Sequence, residues 1–572
     1  MKILIKNIIQ NSIKKLQKEE NLLLSRLPGI VVDQPKEEKF GDYTTNVALV
    51  LAPVLKKSPM IIADEIIKRF DLPARNASHI EAGGSRPKRP KEVEPLSCIF
   101  DKIEAVEPGY INFYLSEKYL HRIVAEINRK TQKFGNSQLG KGVKINNEFI
   151  SANPTGPLHL GNGRGGFYGD VLSNVLAKAG YKVTKEYYIN DAGEQVLKLG
   201  HSVLKDKEAV YAGDYINKLN KNLKNLRDAR IVGEKAAAFI MKEIIRPTVK
   251  EKMKIKVDIW ISEKNDLYKK GLVDKAIGIL KKKKLTYEKD GALWLATTKF
   301  SDDKDRVLIK SVGSFGGSTS KGRLNLPGEK TYFASDCGYI LHKMERGYDC
   351  LIEIWGADHH GYVKRFEAAA KALGFKGKLK FIIVQMVRLV EKGKEVRMSK
   401  RAGNVVYINE LIDKVGLDAT RFFSLMYAPD THMNFDLALA KERSQKNPVY
   451  YVQYACARIS SILAKNQKSK IKNQNFRTDL SLLNHKKELN LIRELNKFPD
   501  LISEIAQSYD VHKLPHYAVR LADKFHDFYE SCRVIDAENP ELTRARLMLI
   551  NAVRIVLAET LRLMGVNAPE KM

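Results

Sequence analysis

The chain has 572 residues, with 98 lysines and arginines against 67 acidic residues, a formal net charge of +31 and a sequence pI near 9.6. Because single hydrophobic cores stop growing at roughly 250–300 residues, a chain of this length is expected to form several domains. Its 44% hydrophobic and 29% charged residues exclude a wholly disordered chain, and its apolar runs are too short for a membrane span. The excess positive charge indicates an anionic partner, nucleic acid before an anionic membrane.

The N-terminal segment places Ile5, Ile9 and Ile13 at helical spacing, which predicts an amphipathic helix rather than the continuous apolar core of a signal peptide. An aromatic and β-branched run at 110–115 predicts a strand, and together these features indicate a small α+β module over residues 1–118. The five cysteines lack the paired spacing of a zinc site. We therefore expect a reducing, cytoplasmic compartment and no zinc.

From residue 143 the pattern changes to alternating strands and helices. KINNEFI is predicted to form a strand, followed by a helix over about 164–179 and a second strand over Lys182–Ile189. This alternation predicts a doubly wound α/β domain, with a parallel sheet covered on both faces. We expect that domain to span 119–436.

Two further regions differ from this α/β pattern. Residues of about 198–284 are predicted to form a basic helical insertion, with 23 lysines and arginines against 11 acidic residues, and residues 437–572 an all-α bundle. The stretches 74–95 and 313–330 are rich in glycine, proline and charge and are typical of inserted loops. The sequence suggests no function for either loop.

The loop between the first predicted strand and its helix ends in GNGRGG at 161–166, which formally fits GxGxxG. Glu186, twenty residues beyond, stands where a dinucleotide fold holds ribose, so a nicotinamide oxidoreductase is one alternative. However, ten residues with two prolines separate strand from glycine, whereas that fingerprint needs a tight turn. The loop instead predicts a phosphate site at a helix N-terminus, where His159 and Asn162 add donors and the glycines let a nucleotide approach the backbone.

The triplet Asp358-His359-His360 raises another alternative, a metal-dependent phosphoesterase. Such a site needs further aspartate or histidine ligands along the chain. Asp170, Asp191 and Asp336 are available in the sequence, but nothing in their spacing recommends them as ligands. We therefore predict no metal site built from protein side chains.

HLGN at 159–162 resembles the HIGH signature of class I aminoacyl-tRNA synthetases, and RMSKRAGN at 397–404 resembles their KMSKS loop. WGADHHGY at 355–362 and NPVYYVQYA at 447–455 extend the similarity to arginyl-tRNA synthetases over nearly the whole chain. Two residues depart from the signatures: Asn162 replaces the final histidine of HIGH, and Arg397 replaces the first lysine of KMSKS. Because Asn162 cannot become charged, its contribution to phosphate stabilisation is expected to be modest.

The resemblance implies a Rossmann-type catalytic domain that carries the MSK loop in its last part, about 385–436, with an N-terminal module for the outer corner of tRNA and a C-terminal anticodon-binding bundle. It also implies arginine–tRNA ligase activity, in which ATP with Mg²⁺ and L-arginine give arginyl-adenylate and pyrophosphate, and arginine then passes to the 3′ end of tRNA(Arg). Activation is expected to await bound tRNA. We expect a cytoplasmic monomer without membrane partners; another class I synthetase and a non-catalytic RNA-binding protein remain alternatives.

The resemblance also implies roles for individual residues. The catalytic donors are His159, Asn162 and Lys400. The residues expected at ATP are His159, Gly161, Asn162, Gly163, Met398, Ser399 and Lys400. The residues expected at arginine are Glu148, Ser151, Asn153, Tyr332, Asp336 and His359. The residues expected at tRNA are Tyr110 and Asn112 in the N-terminal module, with Tyr450 and Tyr454 in the bundle.

Overall fold

The structure, a computed structural model, describes residues 1–19, 29–70, 95–311, 328–396, 406–468 and 478–572. The MSK motif, and with it Met398, Ser399 and Lys400, lies outside the described residues, as does almost all of the two inserted loops. Within those described ranges, every helix is too short or too polar to cross a membrane.

The N-terminal module is a three-stranded antiparallel sheet covered by helices. The predicted first helix is confirmed and buries Ile5, Ile9 and Ile13 against the core. The sheet has the order β1-β3-β2, so β3 is paired on both sides. The elements are α1 (Lys2–Glu19), β1 (Tyr43–Thr45), α2 (Val47–Leu55), α3 (Pro59–Lys68), β2 (Phe100–Val106) and β3 (Tyr110–Leu115).

The middle of the chain contains the predicted parallel sheet, which has five described strands in the order β11-β10-β4-β5-β6. The α/β fold class is confirmed. The elements up to β9 are α4 (Glu117–Lys130), β4 (Lys144–Glu148), α5 (Leu160–Lys178), β5 (Lys182–Ile189), α6 (Glu194–Leu204), α7 (Asp214–Asn222), α8 (Ala229–Ile240), β6 (Ile259–Ser262), α9 (Leu272–Lys282), β7 (Thr286–Lys289), β8 (Ala292–Leu295) and β9 (Arg306–Ile309). Those that follow are α10 (Tyr332–Glu345), β10 (Cys350–Gly356), α11 (Val363–Leu373), β11 (Lys378–Val384), β12 (Val387–Glu391), β13 (Lys394–Glu395), α12 (Ile408–Val415), α13 (Leu417–Leu425) and β14 (Met433–Asp436).

The order of the strands locates the crevice in which such sheets bind ligands. From β4 the chain moves outward through β5 to β6, and it later returns to the other side of β4 to form β10 and β11. The carboxyl ends of β4 and β10 are therefore the topological switch point, where open α/β sheets bind ligands.

Two predictions about this domain need correction. The helix after β4 begins at Leu160, earlier than the expected residue 164, because His159 and Asn162 cap it reciprocally. The region 198–284 is not wholly a helical insertion, since it contains β6, an edge strand of the parallel sheet. Its three apolar residues, Ile259-Trp260-Ile261, are too short a run to stand out among the surrounding lysines.

The C-terminal region is helical, as predicted, and packs on both preceding parts. Its elements are α14 (Leu437–Lys441), α15 (Pro448–Lys468), α16 (Lys486–Asn496), α17 (Phe498–Ser508), α18 (Lys513–Ser531) and α19 (Pro540–Met564). Tyr43 of the N-terminal module donates to Asp500 of α17 at 3.1 Å. Lys178 at the end of α5 forms a buried ion pair with Glu559 of α19 at 2.8 Å.

Candidate active site

The N-terminus of α5 lies just after β4, beside the switch point. Asn162 donates its backbone N–H to Nδ1 of His159 at 3.3 Å, and the Asn162 Oδ1 accepts from the His159 backbone N–H at 3.1 Å. Because Nδ1 acts as an acceptor, the proton of the neutral imidazole is on Nε2. Desolvation lowers the pKa of His159, with Asp358 opposing the shift, which favours that neutral form. His159 Nε2–H and the amide Nδ2 of Asn162 are thus donors at a helix N-terminus.

The chain just after the MSK motif is hydrogen-bonded to this same turn. Leu160 donates its backbone N–H to Val406 at 2.9 Å, and Ile408 donates to Leu158 at 2.9 Å. A Cβ added at Gly163 would lie 2.5 Å from the Ile408 side chain. The missing side chain of Gly163 therefore makes room for Ile408, and this packing does not support our expectation that a nucleotide lies against that glycine.

The turn that follows β4 has an unusual backbone. Ile150 and Ser151 adopt φ angles of 69° and 37°, a region that β-branched and other non-glycine residues rarely occupy. Ser151 Oγ accepts from the Tyr188 N–H at 3.0 Å, and Tyr187 donates its hydroxyl to the Ala152 carbonyl at 3.0 Å. These bonds hold the turn in place at the switch point. Asn153, two residues further along, is exposed.

Three glutamates form a row across the sheet at this edge. Glu148 of β4 pairs in register with Glu353 of β10 on one side and with Glu186 of β5 on the other. All three side chains are buried. Helix α10 supplies the counter-charges: Lys343 donates to Glu148 and to Glu353, both at 2.6 Å.

The rest of this network completes the neutralisation. Tyr339 donates to Glu148 at 2.7 Å, and Arg346 donates from Nη2 to Glu186 at 3.0 Å. Burial opposes ionisation of Glu186, but Arg346 and Lys343 outweigh it and lower the pKa of Glu186. Burial raises the pKa of Glu353 well above its usual value, with Lys343 opposing and the Glu148 carboxylate adding to the shift. Glu148, predicted to bind arginine, is therefore already hydrogen-bonded to two protein donors.

Two neighbouring carboxylates, Asp336 and Glu263, form no ion pair with any described residue. Asp336 of α10 is half-buried and makes no hydrogen bond or ion pair with any other described residue. Glu263, directly after β6, is 2% exposed, and its Oε2 has no partner among the described residues. Desolvation raises the pKa of each to about 7; Arg365 partly offsets the shift at Asp336, and Ser335 does so at Glu263. The Asp336 charge also raises the pKa of Glu263, and the Glu148 charge raises that of Asp336.

The sequence predicted Asp336 but missed Glu263. A glutamate after a short strand has no distinguishing pattern, and only its burial with one oxygen unpartnered among the described residues marks it as a candidate for the site. Tyr332, at the start of α10, is 42% exposed. The His359 side chain is 56% exposed and lies 3.4 Å from Asp358. The structure thus brings Asp336, Tyr332 and Glu148 together along one helix and its facing strand.

The residues predicted to contact tRNA differ in accessibility. Tyr110 is 39% exposed. Asn112 is only 2% exposed, and its Oδ1 accepts from Thr44 at 2.7 Å, so its predicted role as a direct base reader conflicts with its position in the middle strand of a covered sheet. Tyr450 is partly exposed, and Tyr454 stacks on His526 with ring centroids 5.9 Å apart.

The same geometry argues against two alternatives. Glu186, the proposed ribose ligand of a nicotinamide enzyme, is buried and bonded to Arg346 and Tyr339. Asp170 is paired with Lys185 and Arg421, and Asp191 accepts from Ser262 and Lys264. Within the described ranges, histidine, cysteine, aspartate and glutamate side chains form no group of three or more that could hold a metal.

Three protein-family models match the chain. They are the arginyl tRNA synthetase N terminal domain over residues 4–85, the catalytic domain of class I (R) tRNA synthetases over 123–423, and the DALR anticodon binding domain over 452–572.

Relatives named arginine–tRNA ligase align with the whole chain. It is 40% identical over 594 residues to arginine–tRNA ligase of Bacillus subtilis (strain 168), covering 100% of this chain and 99% of the relative. It is 42% identical over 590 residues to arginine–tRNA ligase of Listeria monocytogenes serovar 1/2a, covering 100% and 98%. Among solved structures, Thermus thermophilus arginyl-tRNA synthetase superposes with a TM-score of 0.73 over 100% of both chains at 20% identity, which supports the fold.

Proposed function

This chain belongs to the arginyl-tRNA synthetase family, and we propose that it is an arginine–tRNA ligase whose chemistry takes place at the switch point between β4 and β10. The observation that carries this proposal is a pair of carboxylates without an ion pair among the described residues, the half-buried Asp336 and the buried Glu263, in the same domain as a helix N-terminus suited to phosphate. A guanidinium is the substrate group that such carboxylates fit, because its planar fork donates to two oxygens at once.

In the first half-reaction, the carboxylate of arginine attacks the α-phosphorus of ATP and pyrophosphate leaves. The protein supplies no covalent nucleophile. It orients the two substrates and stabilises charge on the reacting phosphorus with His159 Nε2–H, Asn162 Nδ2 and the backbone N–H groups that begin α5. Magnesium enters with ATP as part of the substrate. Roles for Met398, Ser399 and Lys400 remain predictions, because these residues lie outside the described part of the chain.

Arginine specificity follows from the charge of the pocket. In the glutamate row, Lys343 and Arg346 are already bonded to Glu148, Glu353 and Glu186, so neither cation is available to Asp336 or Glu263. An incoming guanidinium replaces the missing counter-charge at Asp336 and Glu263. A neutral or anionic side chain would leave those carboxylates buried and unpaired, which costs several kcal/mol. Ser151, Asn153 and His359 are proposed to hold the α-amino and carboxylate groups, and Tyr332 to cover the guanidinium.

In the second half-reaction, the terminal ribose hydroxyl of tRNA(Arg) takes the arginyl group and AMP leaves. We propose three domains, over 1–118, 119–436 and 437–572, with the first at the outer corner of tRNA and the last at the anticodon. Tyr110, Tyr450 and Tyr454 are the residues proposed to contact RNA. We further propose a cytoplasmic monomer in which arginine activation requires bound tRNA.

Amino-acid-dependent exchange of pyrophosphate into ATP, measured for all twenty amino acids with and without tRNA, tests this function. We expect exchange with arginine alone, and only when tRNA is present. Exchange with another amino acid would contradict the proposal. His159→Ala is expected to abolish most of the exchange, whereas His201→Ala, which removes a histidine paired with Asp206 in the helical region, leaves it unchanged.

A fluorescence titration with NADH distinguishes the oxidoreductase alternative. Saturable binding at micromolar NADH, together with no exchange for any amino acid, would favour that reading over ours. Binding of tRNA without aminoacylation would instead favour a non-catalytic RNA-binding protein.

A further inference from the structure

Arg164, in the second turn of α5, is a buried cation with no ion pair to any described residue. It is 2% exposed. Its guanidinium donates only to backbone carbonyls: from Nη1 to Gln385 and to Thr431, both at 2.9 Å, and from Nη2 to Ala428 at 2.8 Å. Burial lowers the pKa of Arg164 to about 10, with Tyr168 and Asp430 opposing the shift. Because burying a cation without a carboxylate is costly, this arrangement needs an explanation.

The segment that Arg164 holds is the turn that joins β11 to β12. Gln385 is the first residue after β11, and its own N–H donates to the Pro429 carbonyl at 2.8 Å. Both backbone polar groups of Gln385 are therefore fixed from outside the turn. The next residue, Met386, is 71% exposed. Since β11 runs parallel to β10, the turn lies at the carboxyl edge of the sheet, the edge that binds ligands.

Helix α5 also holds the far end of the same stretch of chain. The Leu160 N–H bonds to Val406, and Gly163 makes room for Ile408. The first two turns of α5 thus fix both the residues that precede the β12–β13 hairpin and the residues that follow position 405. The first two turns of α5 begin at His159 and Asn162, the proposed phosphate donors. They therefore set the positions of both segments beside the crevice.

We propose that Arg164 is a positioning residue for ATP, which fixes the 385–386 turn as a wall of the nucleotide site at a set distance from His159 and Asn162. The inference rests on the proposed function. Arginine suits this task because three carbonyls from two separate segments match its planar, five-donor fork. A lysine ammonium is a compact point charge and cannot reach all three in this geometry.

The test is Arg164→Lys, assayed by tRNA-dependent pyrophosphate exchange at varied ATP and varied arginine. This substitution is expected to shift the 385–386 turn and to leave the Asp336 and Glu263 carboxylates in place. We therefore expect the KM for ATP to rise about tenfold while the KM for arginine stays within about twofold. A general loss of folded enzyme would lower kcat and leave both KM values unchanged, so the split separates positioning from mere stability.

Arg421→Lys is the matched control. Arg421 is 1% exposed, packs against the same helix through Asp170, and likewise donates to backbone carbonyls, at Met253 and Met564. These partners are away from the 385–386 turn. We expect Arg421→Lys to lower the melting temperature without changing the ratio of the two KM values.

A second variant keeps the inference testable if Arg164→Lys does not fold. Gln385→Gly loosens the turn itself without altering a core side chain, and we expect it to raise the KM for ATP about threefold, again with little change for arginine. An unchanged KM ratio in Gln385→Gly, or in a folded Arg164→Lys, overturns the inference while the proposed function stands. Absence of arginine-dependent exchange in the unmodified enzyme would overturn both.

Discussion

Two neighbouring groups of carboxylates in this molecule have opposite surroundings. Glu148, Glu186 and Glu353 form a row that receives Lys343, Arg346 and the Tyr339 hydroxyl. Asp336 and Glu263 form no ion pair with a described residue, and desolvation raises the pKa of both to about 7 even though the more distant Arg365 opposes the shift at Asp336.

The difference teaches how an acidic pocket can be built in a strongly basic protein. The row is part of the structure: its charges are matched by helix α10, so it fixes α10 against the sheet. We propose that the second pair, Asp336 and Glu263, binds the substrate, because a carboxylate already bonded to lysine would gain little by exchanging that partner for arginine. The two groups share α10, which carries both the cations of the first and one carboxylate of the second.

Breaking the matched group should have the largest effect, and it should be on stability. Lys343→Met removes the cation that two buried glutamates share, and we expect the free energy of unfolding to fall by about 3–5 kcal/mol. Denaturant unfolding measures it. Glu353→Gln is the control: since its raised pKa already favours the neutral acid, the amide should cost less than about 1 kcal/mol. Equal losses from the two variants would mean that the row is not held by charge.

Removing a carboxylate of the second group, Asp336 or Glu263, should reduce activity rather than stability. Asp336→Asn removes the carboxylate that we propose to face the guanidinium, and we expect kcat/KM for arginine to fall at least about 100-fold. The melting temperature should stay the same or rise, because a desolvated charge has been removed. Asp274→Asn, which alters a surface carboxylate paired with Lys330, is the control and should leave arginine kinetics unchanged. A destabilised but fully active Asp336→Asn enzyme would reverse our assignment of the two groups.

Glu263→Gln should have a smaller effect on kcat/KM for arginine than Asp336→Asn. An amide oxygen still accepts from the guanidinium, and Asp336 still carries charge, so we expect kcat/KM for arginine to fall about 10- to 30-fold. Steady-state exchange at varied arginine measures it. If Glu263→Gln binds arginine normally while Asp336→Asn does not, then Glu263 lies behind the pocket rather than in it.

The smallest expected effect is on pH dependence. Both carboxyl groups have a pKa of about 7 in the folded enzyme, so they are mostly protonated at pH 6 and mostly ionised at pH 8. Since the guanidinium binds the ionised forms, the KM for arginine should fall about tenfold between pH 6 and pH 8. The Asp336→Asn/Glu263→Gln double variant should lose this slope.

The carboxyl groups of Asp336 and Glu263 also affect the free energy of unfolding, with a pH trend opposite to that of arginine binding. A folded-state pKa raised above the unfolded value means that the folded chain binds more protons between about pH 4 and pH 7. Their contribution is therefore most favourable below the unfolded pKa and is lost as pH rises through 7. In the unmodified protein these two groups lower the free energy of unfolding at pH 8 relative to pH 5. We expect this decrease to be smaller in the double variant. The enzyme thus gives up stability at the pH at which it binds substrate best.

Local patterns in the sequence predicted the parts of the fold that depend on them. The strand Lys182–Ile189 and the start of the aromatic strand at Tyr110 agree with the structure, because alternation of apolar residues with turn signals decides them. Strand β6 was missed because three apolar residues among lysines have no period. The resemblance implied a tRNA contact for Asn112, but the alternation of β3 could not show that this residue is buried, because a covered strand paired on both sides does not alternate simply between core and solvent.

The candidate site also has residues that the sequence could indicate and residues that it could not. The resemblance of HLGN and of the surrounding segments indicated His159, Asn162 and Asp336. It could not indicate that Lys343 is bonded to Glu148, or that Glu263 and Arg164 are candidates for the site, because these contacts join residues that are about 70 or more positions apart in the chain. Burial and hydrogen bonding, which only the folded molecule has, distinguish a carboxylate or guanidinium with a partner from one without.

Arg421 has a consequence for the chain as it is made on the ribosome. Its guanidinium joins Asp170 of α5, the Met253 carbonyl and the carbonyl of Met564, which follows it by 143 residues. Translation proceeds from the N-terminus, so a nascent chain that has not reached Met564 lacks one of the carbonyls to which the Arg421 guanidinium donates. The full set of Arg421 hydrogen bonds is therefore completed only when the last helix, α19, has been made.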